Sequence, residues 1–307
     1  MGFALSTSWN AFRYSSANDM LFEIKELGID KIELSFNITP AMLESIKEAV
    51  KSAEIQVTSI HNYCPIPEGM KRQEALPDCY SVASLNEDER KSAVKFAKRS
   101  IDTAVELEAN AVVLHCGRVE IPDKTRELIG LFDMGLKGTP EFESLRNQLI
   151  REREALSQAH FEQAIRSLEE LNSYAMRKLV ALGVETRFYH REIPSLEEVG
   201  LILEHFRNSS IYYWHDTGHA QLMENLGIAK HREYLERYSA RMFGMHLHDI
   251  SGCLDHQAPP KGGVDFAMVK QFARKEMIKV LEIHHPATAQ EIKQSIEYLT
   301  RTFNGLA

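Results

Sequence analysis

The chain has 307 residues, 44% hydrophobic and 26% charged, which is ordinary for a globular protein and too apolar for disorder. Its formal charge of −8, from 36 basic and 44 acidic side chains, argues against a generic nucleic-acid surface, because phosphate contact needs concentrated Lys and Arg. No run approaches the roughly 20 apolar residues that cross a bilayer, so no membrane partner is expected.

In chain order, the first strand is predicted over Phe3–Trp9. No basic region precedes it, so no secretory signal is expected. Gly2 and Ser6 fit the myristoylation pattern, but the same residues open the strand and the match is read as chance. Further strands are predicted over Lys31–Phe36, Gln56–Tyr63, Asn110–Cys116, Val180–Arg187, Ile211–Asp216, Arg241–Asp249 and Lys279–His284. Helical stretches separate them. Ala93, Val94, Ala97, Ile101, Ala104 and Val105 form one apolar face, and Ile292, Ile296, Leu299 and Phe303 another. Eight strands alternating with helices imply parallel pairing and an α/β fold, the (β/α)8 TIM barrel, as one domain over 1–307. The surplus length falls between strands four and five, where 118–147 reads as an extended βα loop and a long helix follows from about Gln148 to Arg177. This insertion would cover the site or contact a second subunit of a homo-oligomer. Four widely spaced cysteines (Cys64, Cys79, Cys116, Cys253) suit a reducing cytoplasm.

Ionisable residues gather at the C-terminal ends of the predicted strands. Strand three ends with His61 and strand four with His115. Strand five ends with Glu185 and Arg187, and strand six with His215, Asp216 and, just beyond, His219. Strand seven carries His246, His248 and Asp249, followed by Asp255 and His256, and strand eight ends with Glu282 and His284. Side chains alternate along a strand, so Glu185, Arg187, Glu282 and His284 share the axial face, while Leu182, Val184, Leu281 and Ile283 face the helices. Any one of these histidines is more simply a hydrogen-bonded core group. The set is not, because buried charges are costly unless paired or bound to metal. Carboxylates beside imidazoles make a mixed N/O site suited to Zn²⁺, Mn²⁺ or Co²⁺.

The segments around Glu185-Thr-Arg187, His215-Asp216-Thr-Gly-His219, His246-Leu-His248-Asp249 and Asp255-His256 through Asp265-Phe resemble the xylose isomerase-like barrel superfamily. That group includes sugar and sugar phosphate isomerases and epimerases and the DNA-repair enzyme endonuclease IV. The resemblance covers nearly the whole chain and is more specific for the superfamily than for the reaction. Its isomerase and epimerase members imply one divalent metal held by Glu185, Asp216, His246 and Glu282, with Arg187 and His219 as substrate contacts. The endonuclease pattern implies further metals, one held by His61 and His115 together with Glu185, and another by His219 and His256. That pattern has an aspartate where Leu254 stands here, so a complete third site would need the adjacent Asp255.

The resemblance therefore implies a metal-dependent isomerase or epimerase acting on a small sugar, with Glu185 and Glu282 exchanging a proton with carbon through an enediolate. The alternative is a multinuclear phosphodiesterase of the endonuclease IV kind, against which the acidic charge and Leu254 weigh; DNA is not the expected substrate. A non-catalytic metal-bound barrel is a third class. Among other residues, Arg118 and Arg187 suit an anion or hydroxyl, Trp9 a sugar face or a barrel plug, and Lys261 and His248 a substrate contact. His190, His284 and His285 lie near the mouth without a ligand match, and His160, His205 and His231 read as structural. Cys64 and Cys116, beside the strand-end histidines, read as packing.

Overall fold

The computed structural model describes residues 2–306. Eight strands pair in parallel into a closed barrel: β1 (Ala4–Ser6), β2 (Lys31–Leu34), β3 (Gln56–His61), β4 (Ala111–Leu114), β5 (Ala181–Glu185), β6 (Ile211–Asp216), β7 (Met242–Leu247) and, after a small hairpin, β10 (Ile278–Leu281). Around the barrel the order is β1-β10-β7-β6-β5-β4-β3-β2, the (β/α)8 arrangement. The hairpin pairs β8 (Asp249–Ser251) with β9 (Leu254–Gln257) in antiparallel fashion at the mouth. Here the structure corrects the sequence reading, which ran strand seven through Asp249: the barrel strand ends at Leu247 and the chain turns back on itself.

The helices are α1 (Ala17–Lys25), α2 (Pro40–Lys51), α3 (Glu87–Glu106), α4 (Thr125–Asp133), α5 (Pro140–Lys178), α6 (Leu196–His205), α7 (Thr217–Asn225), α8 (His231–Tyr238), α9 (Phe266–Lys270) and α10 (Ala289–Thr302). Their starts are written in the side chains. Thr39 and Thr139 each cap a helix that has proline at its first position, and Ser195/Glu198 and Thr288/Glu291 form capping boxes. The segment 118–147, expected as a loop, is largely helical. α4 buries Leu128, and α5 starts at Pro140 because the Thr139 hydroxyl accepts the Phe142 N–H. The long helix therefore begins eight residues before the expected Gln148.

Two apolar layers hold the fold. The larger lies between the strands and the helices, where Leu182, Val184, Leu281 and Ile283 pack. The smaller fills the barrel with Ala4, Ala111, Val113, Ala181, Trp214 and Val280. Trp214 is fully buried, and its ring occupies space left by two glycines. A Cβ on Gly183 would lie 2.8 Å from Trp214 Cε3, and one on Gly244 2.4 Å from Cζ3. This layer seals the barrel beneath the mouth.

Candidate metal centre

Strand register sets the first contacts. Asp216 pairs with His246 across β6 and β7, and Val280 of β10 pairs with the same histidine on its other side. Side-chain oxygens of Glu185, Asp216 and Glu282 and a ring nitrogen of His246 all lie within 4.8 Å of one another. His246 Nδ1 is the focus, 2.6 Å from Glu185, 3.0 Å from Glu282 and 3.6 Å from Asp216. All four residues are buried. Burial raises the Glu185 carboxyl, but hydrogen bonds from His115, His246 and His61 outweigh it and hold the group well below the usual carboxylate range. Burial likewise opposes ionisation of His246, and Glu282 and Glu33 overcome it, lifting the imidazole well above its ordinary value. Three carboxylates around one nitrogen call for positive charge, which the protonated ring supplies here, and a mixed N/O donor set of this kind also fits a divalent metal.

A second group joins His61, His115 and Glu185, and a third joins His219, His248 and His256. Their tautomers follow from their partners, since a carbonyl oxygen only accepts. His61 Nδ1–H donates to Asn62 O, His219 Nδ1–H to Thr186 O and His256 Nδ1–H to Glu282 O. His115 Nδ1–H donates to the Asp78 carboxylate at 3.0 Å. Each ring in its neutral form therefore presents its Nε2 lone pair inward, the arrangement of a metal ligand fixed from behind. His115 Nε2 lies 2.8 Å from Glu185. Without a cation that contact needs a proton, and although burial and Arg187 oppose it, Asp78 and Glu185 raise His115 to about 9.

His248 behaves differently. Its Nδ1 accepts the His256 backbone N–H, so Nε2 carries hydrogen and donates to Asp216 at 2.9 Å. It supports Asp216 and has no lone pair to offer a metal or an acceptor face toward substrate. Gly218 makes this possible, because a Cβ there would lie 2.1 Å from His248 Cε1. Asp216 also caps α7, accepting the His219 N–H at 2.7 Å. Asp255 stands 3.8 Å from His219 Nε2 and 3.4 Å from His256 Nε2, whereas Leu254 points away and is exposed. His256 takes a left-handed φ of 51° at this point, which lets neighbouring Asp255 and His256 both reach the site.

The groups open into a cleft of about 420 Å³ lined by Glu185, Glu282, His61, His115, His219 and His256, among others. Arg187 reaches the same cleft, but its guanidinium is bound to Glu185 at 2.7 Å, Glu192 at 3.2 Å and Asp78 at 3.5 Å. It orients Glu185. Trp9 is buried away from the cleft with Nε1 donating to Ala287 O at 2.8 Å, so it offers no face to a sugar. Lys261 pairs with Glu291 on α10 and does not line the cleft. The sequence reading missed Glu33, which accepts from His246 Nε2 at 3.0 and 3.2 Å and from Ser59 at 2.7 Å. Its signal was available, since Glu33 stands between the outward Ile32 and Leu34. Asp78 was also missed, and a loop residue gives no such signal.

With this geometry in place, the comparisons agree on architecture. The family model described as xylose isomerase-like TIM barrel matches residues 21–302. An uncharacterized protein, y4fM of Sinorhizobium fredii, is 24% identical over 272 residues, 86% of this chain and 77% of that one. A D-tagatose 3-epimerase-like protein superposes with a TM-score of 0.67 at 18% identity, covering 98% of this chain and 97% of that one. The E. coli 3-keto-D-glucoside 4-epimerase gives 0.68 at 15% identity over 98% and 99% of the two chains. An L-ribulose 3-epimerase gives 0.70 at 13% identity over 99% and 95%.

Proposed function

Because the chain belongs to the xylose isomerase-like TIM barrel family, we propose that it is a divalent-metal-dependent isomerase or epimerase of a small sugar or sugar phosphate. The observation that carries this reading is the placement of Glu185 and Glu282. Both touch the quartet around His246, and both line the cleft from strands three places apart around the barrel. Glu185, Asp216, His246 and Glu282 would hold manganese, zinc or cobalt. When bound, a divalent cation supplies charge that polarises a substrate carbonyl or acidifies a water.

The protein's own groups handle the proton. One carboxylate takes it from the carbon beside the carbonyl, leaving a planar enediolate, and the other returns it. Return to the opposite face gives the epimer; return to the neighbouring carbon gives the isomer. Arg187 holds Glu185 in place, and the sealed barrel floor leaves the mouth as the route of entry. The four free cysteines suit a cytoplasmic setting, and we treat 1–307 as one domain. Manganese-loaded protein should exchange the α-proton of a ketose with D₂O, as read by NMR. Glu282→Gln should abolish that exchange, and retained exchange would overturn the assignment.

A second reading, a multinuclear phosphodiesterase, is favoured by the inward Nε2 lone pairs of His61, His115, His219 and His256. Plasma mass spectrometry on protein purified without chelator distinguishes the two. One metal per chain supports the isomerase. Two or more, falling with His61→Ala or His115→Ala, support the phosphodiesterase.

A further inference from the structure

We propose that the substrate carries an anionic group, a carboxylate or a phosphate, which Arg118, Arg126 and Arg191 receive on one wall of the cleft; this rests on the isomerase and epimerase reading above. All three arginines line the same cleft as Glu185 and Glu282. They come from two segments that the backbone zips together. Val119 N–H donates to Arg191 O at 2.8 Å, Ile193 N–H to Gly117 O at 2.9 Å, and Arg118 bridges to Glu192. Arg191 therefore sits on the loop that leaves Glu185 at the end of β5. A substrate with its carbonyl over Glu185 would have its far end against this wall.

The guanidinium groups are held but not used up. Arg126 Nη2 donates to the Tyr189 hydroxyl at 2.6 Å, and its guanidinium lies 5.0 Å from the Tyr189 ring centroid. Arg118 Nη1 reaches Asp78 O at 3.4 Å, and Arg191 Nη1 reaches Ile121 O at 3.3 Å. Arg191 Nε is buried with no partner. Two acids form ion pairs with them: Asp123, 3.2 Å from Arg126 and 4.0 Å from Arg191, and Glu120, 3.3 Å from Arg118. Neither lines the cleft. Of the acidic groups of the cleft, Asp78 faces Arg118 but pairs with His115 and Arg187, Glu192 pairs with Arg187, Asp255 stands beside His219 and His256, and Glu185 and Glu282 are at His246. Asp123 is divided between Arg126 and Arg191, and Asp78 among His115, Arg187 and Arg118, so several guanidinium N–H donors of the wall stay free. A hydroxyl needs one donor and no charge, whereas a forked guanidinium matches the paired oxygens of a carboxylate or phosphate.

The experiment compares manganese-loaded protein and its Arg118→Gln/Arg126→Gln double variant on a neutral ketose, its terminal phosphate and its terminal carboxylate. The readouts are α-proton exchange in D₂O and, separately, calorimetric binding of inorganic phosphate. An anionic substrate should be preferred over the neutral sugar, and the variant should shrink that preference about a hundredfold, the loss of two charge-assisted hydrogen bonds. Whichever anion shows the preference identifies the group. A neutral sugar turned over as well as both anions would overturn the proposal, as would a preference that the variant leaves intact. If no sugar exchanges, the isomerase reading fails. The phosphate titration then decides on the wall alone: weaker binding by the variant supports it, and equal binding overturns it.

Discussion

Glu33 offers a direct test of how the centre is built, because it touches the presumed ligand set only through His246. Both of its carboxylate oxygens face His246 Nε2, at 3.0 and 3.2 Å, and Glu33 is fully buried. Accepting that N–H leaves the Nδ1 lone pair directed at Glu185, Asp216 and Glu282. Glu33→Gln keeps the volume and an acceptor but removes the charge. A charge-assisted hydrogen bond exceeds a neutral one by about 1 to 1.5 kcal/mol, so metal affinity should fall about tenfold. Glu33→Ala loses the acceptor as well and should cost about a hundredfold, the upper end for partners that orient metal ligands. Competition calorimetry against a chelator reads both values, with thermal unfolding confirming that each variant is folded. Affinities within about threefold of the parent for both folded variants would refute the orienting role.

Gly218→Ala should destabilise the protein by about 1–3 kcal/mol even though alanine favours a helix, because its Cβ would meet the His248 ring at 2.1 Å; chemical denaturation would show it, and a stabilised variant would refute the packing. A pH effect follows from His231, whose Nε2 lies 3.0 Å from His215 Nε2. Burial lowers His231 from 6.5 to about 4, so it folds neutral. Its contribution is intact above the unfolded value of 6.5 and is lost as pH falls toward 4, roughly 2 kcal/mol by pH 5. His231→Gln should lose less stability than the parent between pH 7 and pH 5 in urea unfolding, and an equal loss would refute the assignment.

The barrel was readable because each parallel strand is a short apolar run closed by polar residues at the mouth. Ile211–Asp216 coincides with its predicted bounds. Other strands were drawn too long, since the polar residues that end a strand look continuous with it in sequence. Ser6 and Glu185 are last in their strands, yet Trp9 and Arg187 were included. The hairpin after Leu247 escaped because its turn depends on Gly252 at positive φ, and not on alternation. The start of α5 was legible in Thr139-Pro140 and was passed over for weak periodicity. Within the centre, residues at strand ends could be found by parity, and Glu33 could have been. Asp78 could not, because it reaches His115 and Arg187 from a loop whose path only the fold determines.

The Trp214 plug has a consequence for how such a protein can change over generations. Trp214, Gly183 and Gly244 share one volume. Enlarging either glycine alone forces overlap, at about 1–3 kcal/mol. Shrinking the tryptophan alone opens a void, at about 3–5 kcal/mol. Every single step away from this trio costs stability, so the three positions form a lock that a concerted exchange opens at least expense. The rim side chains Asp78, Arg118, Arg126, Arg191 and Asp255 line the cleft instead and fill no such shared volume. A change of substrate is therefore met at lower cost by substitutions on the rim than in the plug.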